Sequence, residues 1–286
     1  AFTTQAAVSA LMRGFPGTEL LVWVGLFMVF YGIVYALLEN DMRRILAYSI
    51  VNQGGFMIAG IGIGTELALN GAAAQAASGV IYVALLLMSA GSVLRMTGRR
   101  KCSELGGLFR SMPLTAFCAT IAALATSAFP FTSGFVTKAM IAQAAADSGL
   151  LWVWLLLAAA SAGVVLHAGI RFPWLVFFHK DSGLRPPEAP ASMRWAMVFF
   201  AFLCIAQGIW FEPLYAMLPY AVDYQPYTSA HLLTQTQLLL CSGLAFFIAL
   251  PYLKRAPTIT LDADWVYRRA LPGVIAVCTS GIERSL

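Results

Sequence analysis

Apolar runs rich in Leu, Ala, Val, Ile and Phe, each about 17 to 25 residues long, alternate with short polar connectors along almost the whole sequence. A helix rises about 1.5 Å per residue, so one such run crosses the roughly 30 Å hydrocarbon core of a bilayer. The runs are too long and too numerous for a secretory signal. Of the 286 residues 60% are hydrophobic and 11% charged, against about 25% charged in a soluble domain. The pattern predicts an all-α, multi-pass transmembrane helix bundle and excludes a water-soluble fold. The net charge of +5 resides mainly between the apolar runs, where it suits lipid headgroups rather than nucleic acid.

Residues 1–12 form an apolar stretch too short to span and read as the second half of a helix, the chain itself reading as a fragment or processed product. Further runs occupy about 20–38, 45–64, 71–96, 113–128, 133–146, 151–172, 193–210 and 232–253. The expectation is a bundle over 1–255 of about eight spans, the first incomplete, with a turn-rich loop at 180–192. The tail 256–286, with Trp265, Tyr267, Arg268 and Arg269, suits the membrane interface. Arg43, Arg44, Arg95, Arg99, Arg100, Lys101 and Arg110 fall on one side, which the positive-inside rule makes cytoplasmic. If 113–128, 133–146 and 151–172 each cross once, Lys180, Arg185 and Arg194 land on the opposite side. Either one segment is re-entrant or the charge bias is weak there.

An ionisable group at mid-membrane costs about 2.5 to 3.5 kcal/mol on insertion scales, so each one needs a reason. Lys138 follows Pro130 and Gly134, residues suited to breaking a helix inside the membrane. It is either a lysine in a hydrated ion path or one near a helix end that snorkels to the headgroups. His167, one turn before Arg171, is either part of a proton relay or that helix's interfacial end, the latter being preferred. Asn52, Gln53 and Gln75 are expected to hydrogen-bond between helices. Cys102, Cys118, Cys204, Cys241 and Cys278 have no metal spacing and read as small apolar packers. The three histidines are too scattered for a metal or haem site, no nucleotide or hydrolase motif occurs, and neither an enzyme nor a cofactor is expected.

Several ordered stretches carry a more specific signal: AFTTQ (1–5), RGFPGTE (13–19), ENDMRRILAYS (39–49), GIGIGTELALNGAAA (60–74), LLLMSAGSVL (85–94), SELGGL (103–108), FPFTSGFVTK (129–138) and FFHKDSGLRPPEAP (177–190). In collinear order they resemble the D-type subunit of Mrp multisubunit monovalent cation/proton antiporters, a family similar to the antiporter-like subunits of complex I. The resemblance implies the second half of a fold of about 14 helices, built from inverted five-helix repeats with broken helices and a buried row of charged residues. The chain would then begin inside the seventh helix. It also implies a lysine where Gln5 stands, a histidine at Gln75, an ionisable residue at Gly79 and a lysine at Val83. All four are neutral here, and only Lys138 keeps its charge. Uncharged groups cannot take up and release protons along such a row.

Two functions follow as expectations: an antiporter subunit with its proton relay largely lost, or a non-conducting scaffold in a respiratory or photosynthetic complex. Both place the chain in the bacterial inner (cytoplasmic) membrane among other membrane subunits. Half of such a fold also leaves an apolar face for lipid, quinone, pigment or protein to cover. Residues 71–79 and 172–178 are candidate contact stretches.

Overall fold

The structure, a computed structural model, describes residues 2–250 together with 271, 272 and 275. The tail 256–286 expected at the interface lies outside the described residues apart from those three, as does Cys278. Among the described residues ten α-helices follow one another: α1 (Phe2–Gly14), α2 (Glu19–Leu38), α3 (Met42–Ile63), α4 (Glu66–Thr97), α5 (Pro113–Thr126), α6 (Ser133–Asp147), α7 (Leu151–Val164), α8 (Ala191–Ile209), α9 (Glu212–Tyr215) and α10 (Ser229–Ala249). Beyond Val164, α7 continues through π-helical turns at Val165–Arg171 and Trp174–Phe178. Six helical stretches of the described residues are long and apolar enough to cross a membrane, the α7 stretch reaching Phe178.

Small residues bring α2 and α3 together. A Cβ at Gly25 would lie 2.4 Å from the Ala59 nitrogen, so this crossing tolerates only hydrogen there. Residues 71–79 also pack within the chain: a Cβ at Gly71 would meet Ile141 of α6 at 2.8 Å. In the second candidate contact stretch, Phe172, Leu175, Val176 and Phe177 are buried and Phe178 is exposed. Cys102, Cys118 and Cys204 are buried packers as expected, whereas Cys241 is exposed.

The connectors decide the sidedness that the sequence left open. Met42 N–H donates to Arg100 O at 3.0 Å and Cys102 N–H to Asn40 O at 2.8 Å, which fixes residues 39–44 and 98–102 at one end of the bundle. Ser182 N–H donates to Gly106 O at 3.2 Å. Glu188 accepts from Leu114 N–H at 2.7 Å and Thr115 N–H at 3.2 Å, capping α5. Lys180, Arg185 and Arg194 therefore lie at the same end as Arg95–Arg110. Trp23 and Trp152 stack at 4.7 Å between centroids at the other end. The chain thus leaves the basic end at Pro113 and returns from the far end at Leu151, so α5 and α6 are two halves of one crossing. Three single crossings, and the charge reversal they implied, do not occur.

Exposed apolar side chains run along α2 (Trp23, Phe27), α8 (Trp195, Phe199, Phe202) and α10 (Leu240, Leu244, Phe247). This is the surface of an integral membrane protein.

Candidate ion-path site

The site grows from the gap between α5 and α6. Ala128 and Phe131 adopt positive φ, 57° and 66°, a left-handed conformation unfavourable for side chains with a Cβ. Such strained residues cost about 1 to 3 kcal/mol each and persist where the surroundings over-determine them. Gly134, expected to loosen the break, lies inside α6 and serves a different end. A Cβ there would stand 1.9 Å from Ala125 O, so glycine is what lets the two half-helices approach.

Breaking a helix inside hydrocarbon frees backbone carbonyls that need donors. Three are supplied here: Thr132 Oγ1 donates to Phe129 O at 2.6 Å, Gln235 Nε2 to Ser127 O at 3.3 Å, and Lys138 Nζ to Thr126 O at 3.0 Å. The Lys138 ammonium also stands 4.7 Å from the centroid of the Phe56 ring, a cation–π contact. Lys138 is only 5% exposed, so it does not snorkel. It lines a cavity of about 260 Å³ between α6, α7 and α10, whose wall includes Phe56, Trp154, Tyr224, His231 and Gln235.

A buried neutral network begins one residue away from Lys138, at Thr137. Thr137 Oγ1 donates to Gln75 Oε1 at 2.6 Å, and Gln75 Nε2 donates to Gln53 Oε1 at 2.8 Å and to Tyr82 OH at 2.6 Å. Tyr82 OH donates to Gln53 Oε1 at 3.2 Å, and Asn52 Nδ2 donates to Val29 O at 2.9 Å. The interhelical hydrogen bonds expected of Asn52, Gln53 and Gln75 are therefore present. A Cβ on Gly79 would meet Gln5 Nε2 at 3.4 Å and Tyr82 OH at 3.5 Å, so Gln5 faces the same region. The Gln5 Oε1 atom is buried without a hydrogen bond among the described residues. Val83 is buried among the apolar side chains of the main core.

His167 is fully buried in the first π-helical segment, not at a lipid interface. Its Nδ1 is 2.8 Å from Gly163 O. A carbonyl only accepts, so Nδ1 carries the hydrogen, and in the neutral ring Nε2 then presents a lone pair. That Nε2 is buried without a partner among the described residues. Arg171, one turn on, donates to Ala36 O at 2.7 Å and also to Leu37 O, capping the carbonyl end of α2. The π-helical segment that carries His167 packs on the break, where a Cβ on Gly169 would meet Ser127 Oγ at 2.2 Å, and Lys138 stands at the same break. By contrast, Gln5, Gln75 and Gly79 belong to the neutral region beyond Thr137 and Val83 to the apolar core. Sequence reasoning missed Tyr82, Thr137, Tyr224 and His231. Tyr82 offered a signal, standing seven residues from Gln75 on the same face of α4.

Comparison with known proteins agrees with this architecture. Residues 5–163 match the family model described as NADH:quinone oxidoreductase/Mrp antiporter, TM. The chain is 36% identical over 152 residues to the D-type subunit of a Na(+)/H(+) antiporter from Alkalihalophilus pseudofirmus, covering 50% of this chain and 31% of that protein. It is 30% identical over 219 residues to the A/B-type subunit of a probable K(+)/H(+) antiporter from Rhizobium meliloti, covering 72% of this chain and 22% of that protein. In fold it superposes on a chain of the Mrp complex from Dietzia sp. with a TM-score of 0.65 at 18% identity, covering 87% of this chain and 52% of the other. The chain therefore spans about a third or less of these two relatives' length and about half of the solved chain. With more than half of its residues matched, it belongs to the NADH:quinone oxidoreductase/Mrp antiporter family of cation/proton antiporter-like membrane subunits.

Proposed function

We propose that the chain is a subunit of a multisubunit complex in the bacterial inner membrane, in which Lys138 binds and releases a proton during the complex's transport cycle but no longer passes it along a row of titratable side chains at the membrane midplane. The observation that carries this reading is the pairing of a buried lysine with a neutral neighbourhood. Lys138 is held by a carbonyl and an aromatic ring at a strained helix break, and the buried side chains beyond it are Thr137, Gln75, Gln53 and Tyr82. Neutral amides can orient a proton donor but do not themselves cycle between protonated and deprotonated forms near neutral pH. Gln5, Gln75, Gly79 and Val83 are read as positions where the relay's titratable groups have been replaced. The subunit itself catalyses no chemical conversion in this reading.

A second reading, a non-conducting scaffold, draws support from the exposed apolar ridges on α2, α8 and α10, which other subunits, lipid, quinone or pigment would cover. Purification from the native membrane in mild detergent, with mass spectrometry of what co-purifies, separates the two. Recovery with other antiporter subunits supports the first. Recovery with a respiratory or photosynthetic complex lacking them favours the scaffold.

A further inference from the structure

The cavity beside Lys138 is completed by residues outside the segment that matches the family model, which ends at residue 163. After α9 the chain runs through residues 216–228 without forming a helix and enters α10 at Ser229. Two anchors tie this stretch to the bundle at different depths. Near the far end, Asn70 Nδ2 donates to Tyr220 O at 3.0 Å and Tyr220 N–H donates to Asn70 Oδ1 at 3.1 Å. At the helix break, Tyr227 stacks on Phe131 and Phe135 at 5.6 and 5.2 Å and donates its hydroxyl to Gly208 O. The segment therefore descends from the far end to the break and delivers His231 to the wall of the Lys138 cavity.

His231 is oriented on three sides. Its ring stacks on Phe135 with centroids 4.4 Å apart, its backbone N–H donates to the Thr228 hydroxyl at 3.3 Å, and its Nδ1 lies 2.7 Å from Pro226 O. Because that carbonyl can only accept, Nδ1 bears the hydrogen and the neutral ring keeps its lone pair on Nε2. Among the groups lining the cavity, the ionisable ones are Lys138 from α6, Tyr224 from the descending segment and His231 from α10, while α3 and α7 contribute Phe56, Trp154, Leu157, Ala158 and Ser161. The other buried histidine near Lys138, His167 of the π-helical segment, and Arg171 beyond it do not line the cavity. Further along α6, Gln143 also lines the cavity and donates to Asp147 Oδ1 at 2.7 Å, at the far end of the bundle.

Resting on the reading of Lys138 as a proton site, we propose that His231 is its exchange partner, taking the proton through cavity water and passing it toward the far end of the bundle, away from the basic connectors. In the step a Lys138 Nζ–H bond breaks and a His231 Nε2–H bond forms, leaving a neutral amine and an imidazolium. The imidazolium then releases that proton to water on the Gln143–Asp147 side. The cavity thus gives Lys138 access to one face of the membrane, and the neutral Gln75 network, which begins at Thr137, adjoins the lysine without lining the cavity.

The test is proton-coupled flux in vesicles carrying the intact native complex, read against pH for Lys138→Met, His231→Asn and His231→Phe. Asparagine can keep the donor to Pro226 O while removing the lone pair that accepts the proton. Expected are loss of flux in Lys138→Met, and in both His231 variants a fall of about tenfold or more with loss of the limb that titrates between about pH 5 and 8. Wild-type flux and pH profile in His231→Asn, with Lys138→Met inactive, would overturn the His231 assignment alone. So would a fall in flux matched by an equal fall in assembled complex with the profile unchanged, the sign of a packing role. Wild-type flux in Lys138→Met would overturn the reading of Lys138 itself.

Discussion

At the scale of single residues, Gly134 and Asp181 carry the sharpest expectations. Alanine at 134 would drive a Cβ to 1.9 Å from a backbone oxygen that cannot rotate away. The half-helices would have to separate, and the expected loss is about 2 to 3 kcal/mol, in line with overpacking elsewhere. Thermal unfolding in detergent measures it. Asp181, in the exposed loop, accepts from Arg185 Nη1 and from Gly183 N–H, each at 2.9 Å. These hydrogen bonds, the arginine's first, hold its carboxyl below the ordinary carboxylate range. A group depressed on folding stabilises above its unfolded pKa, and that contribution is lost as pH falls through the folded value. The loop should therefore keep its order through the pH range in which free carboxylates protonate and lose it only below. Amide exchange at Gly183 against pH reads this, and Asp181→Asn should remove the acid-dependent step. Lys138 and His167 stood out in the sequence because ionisable residues are conspicuous in apolar runs, but the interfacial place preferred for His167 does not hold, since it is buried. Tyr82, Thr137 and His231 did not stand out, because polar-aromatic and hydroxyl side chains serve ordinary packing just as well and only their convergence distinguishes them.

At the scale of elements, the broken helix shows what a linear pattern can and cannot convey. Pro130 and Gly134 announced an interruption, but the backbone turns at Ala128 and Phe131, two residues with no intrinsic preference for positive φ. Their conformation is imposed by tertiary contacts such as the donation of Gln235 to Ser127 O from α10. The π-helical turns after Val164 were equally unreadable from the apolar run that contains them, since hydrophobic periodicity fixes the face of a helix and not its winding. The start of α5 offers a direct check. Met112 supplies no side-chain cap, and Glu188, far away in sequence, accepts from Leu114 N–H, Thr115 N–H and the Thr115 hydroxyl instead. Glu188→Ala should cost about 1 kcal/mol, the usual value of a lost N-terminal cap, and should raise exchange at the first turn of α5 while leaving α6 protected.

At the scale of the whole molecule, the apolar runs determined the class of fold, and the family motifs its type. The sidedness of its second half needed contacts between connectors. Reporter fusions after Gly98 and within residues 182–185 should report the same side of the membrane, and a fusion at Gly149 the opposite one; opposite signals from the first two would mean that α5 and α6 cross separately. The account rests on Lys138 as the titratable group that survives beside a neutralised midplane. Its most direct test is proton-coupled flux by vesicles bearing the assembled complex, with Lys138→Met compared against the unaltered chain at equal assembly. The account predicts that the substituted complex assembles and loses at least nine-tenths of that flux, on the order of the tenfold or more attributed to one positioned proton-transfer group. Full flux from an equally assembled Lys138→Met complex would contradict it and leave the chain a scaffold.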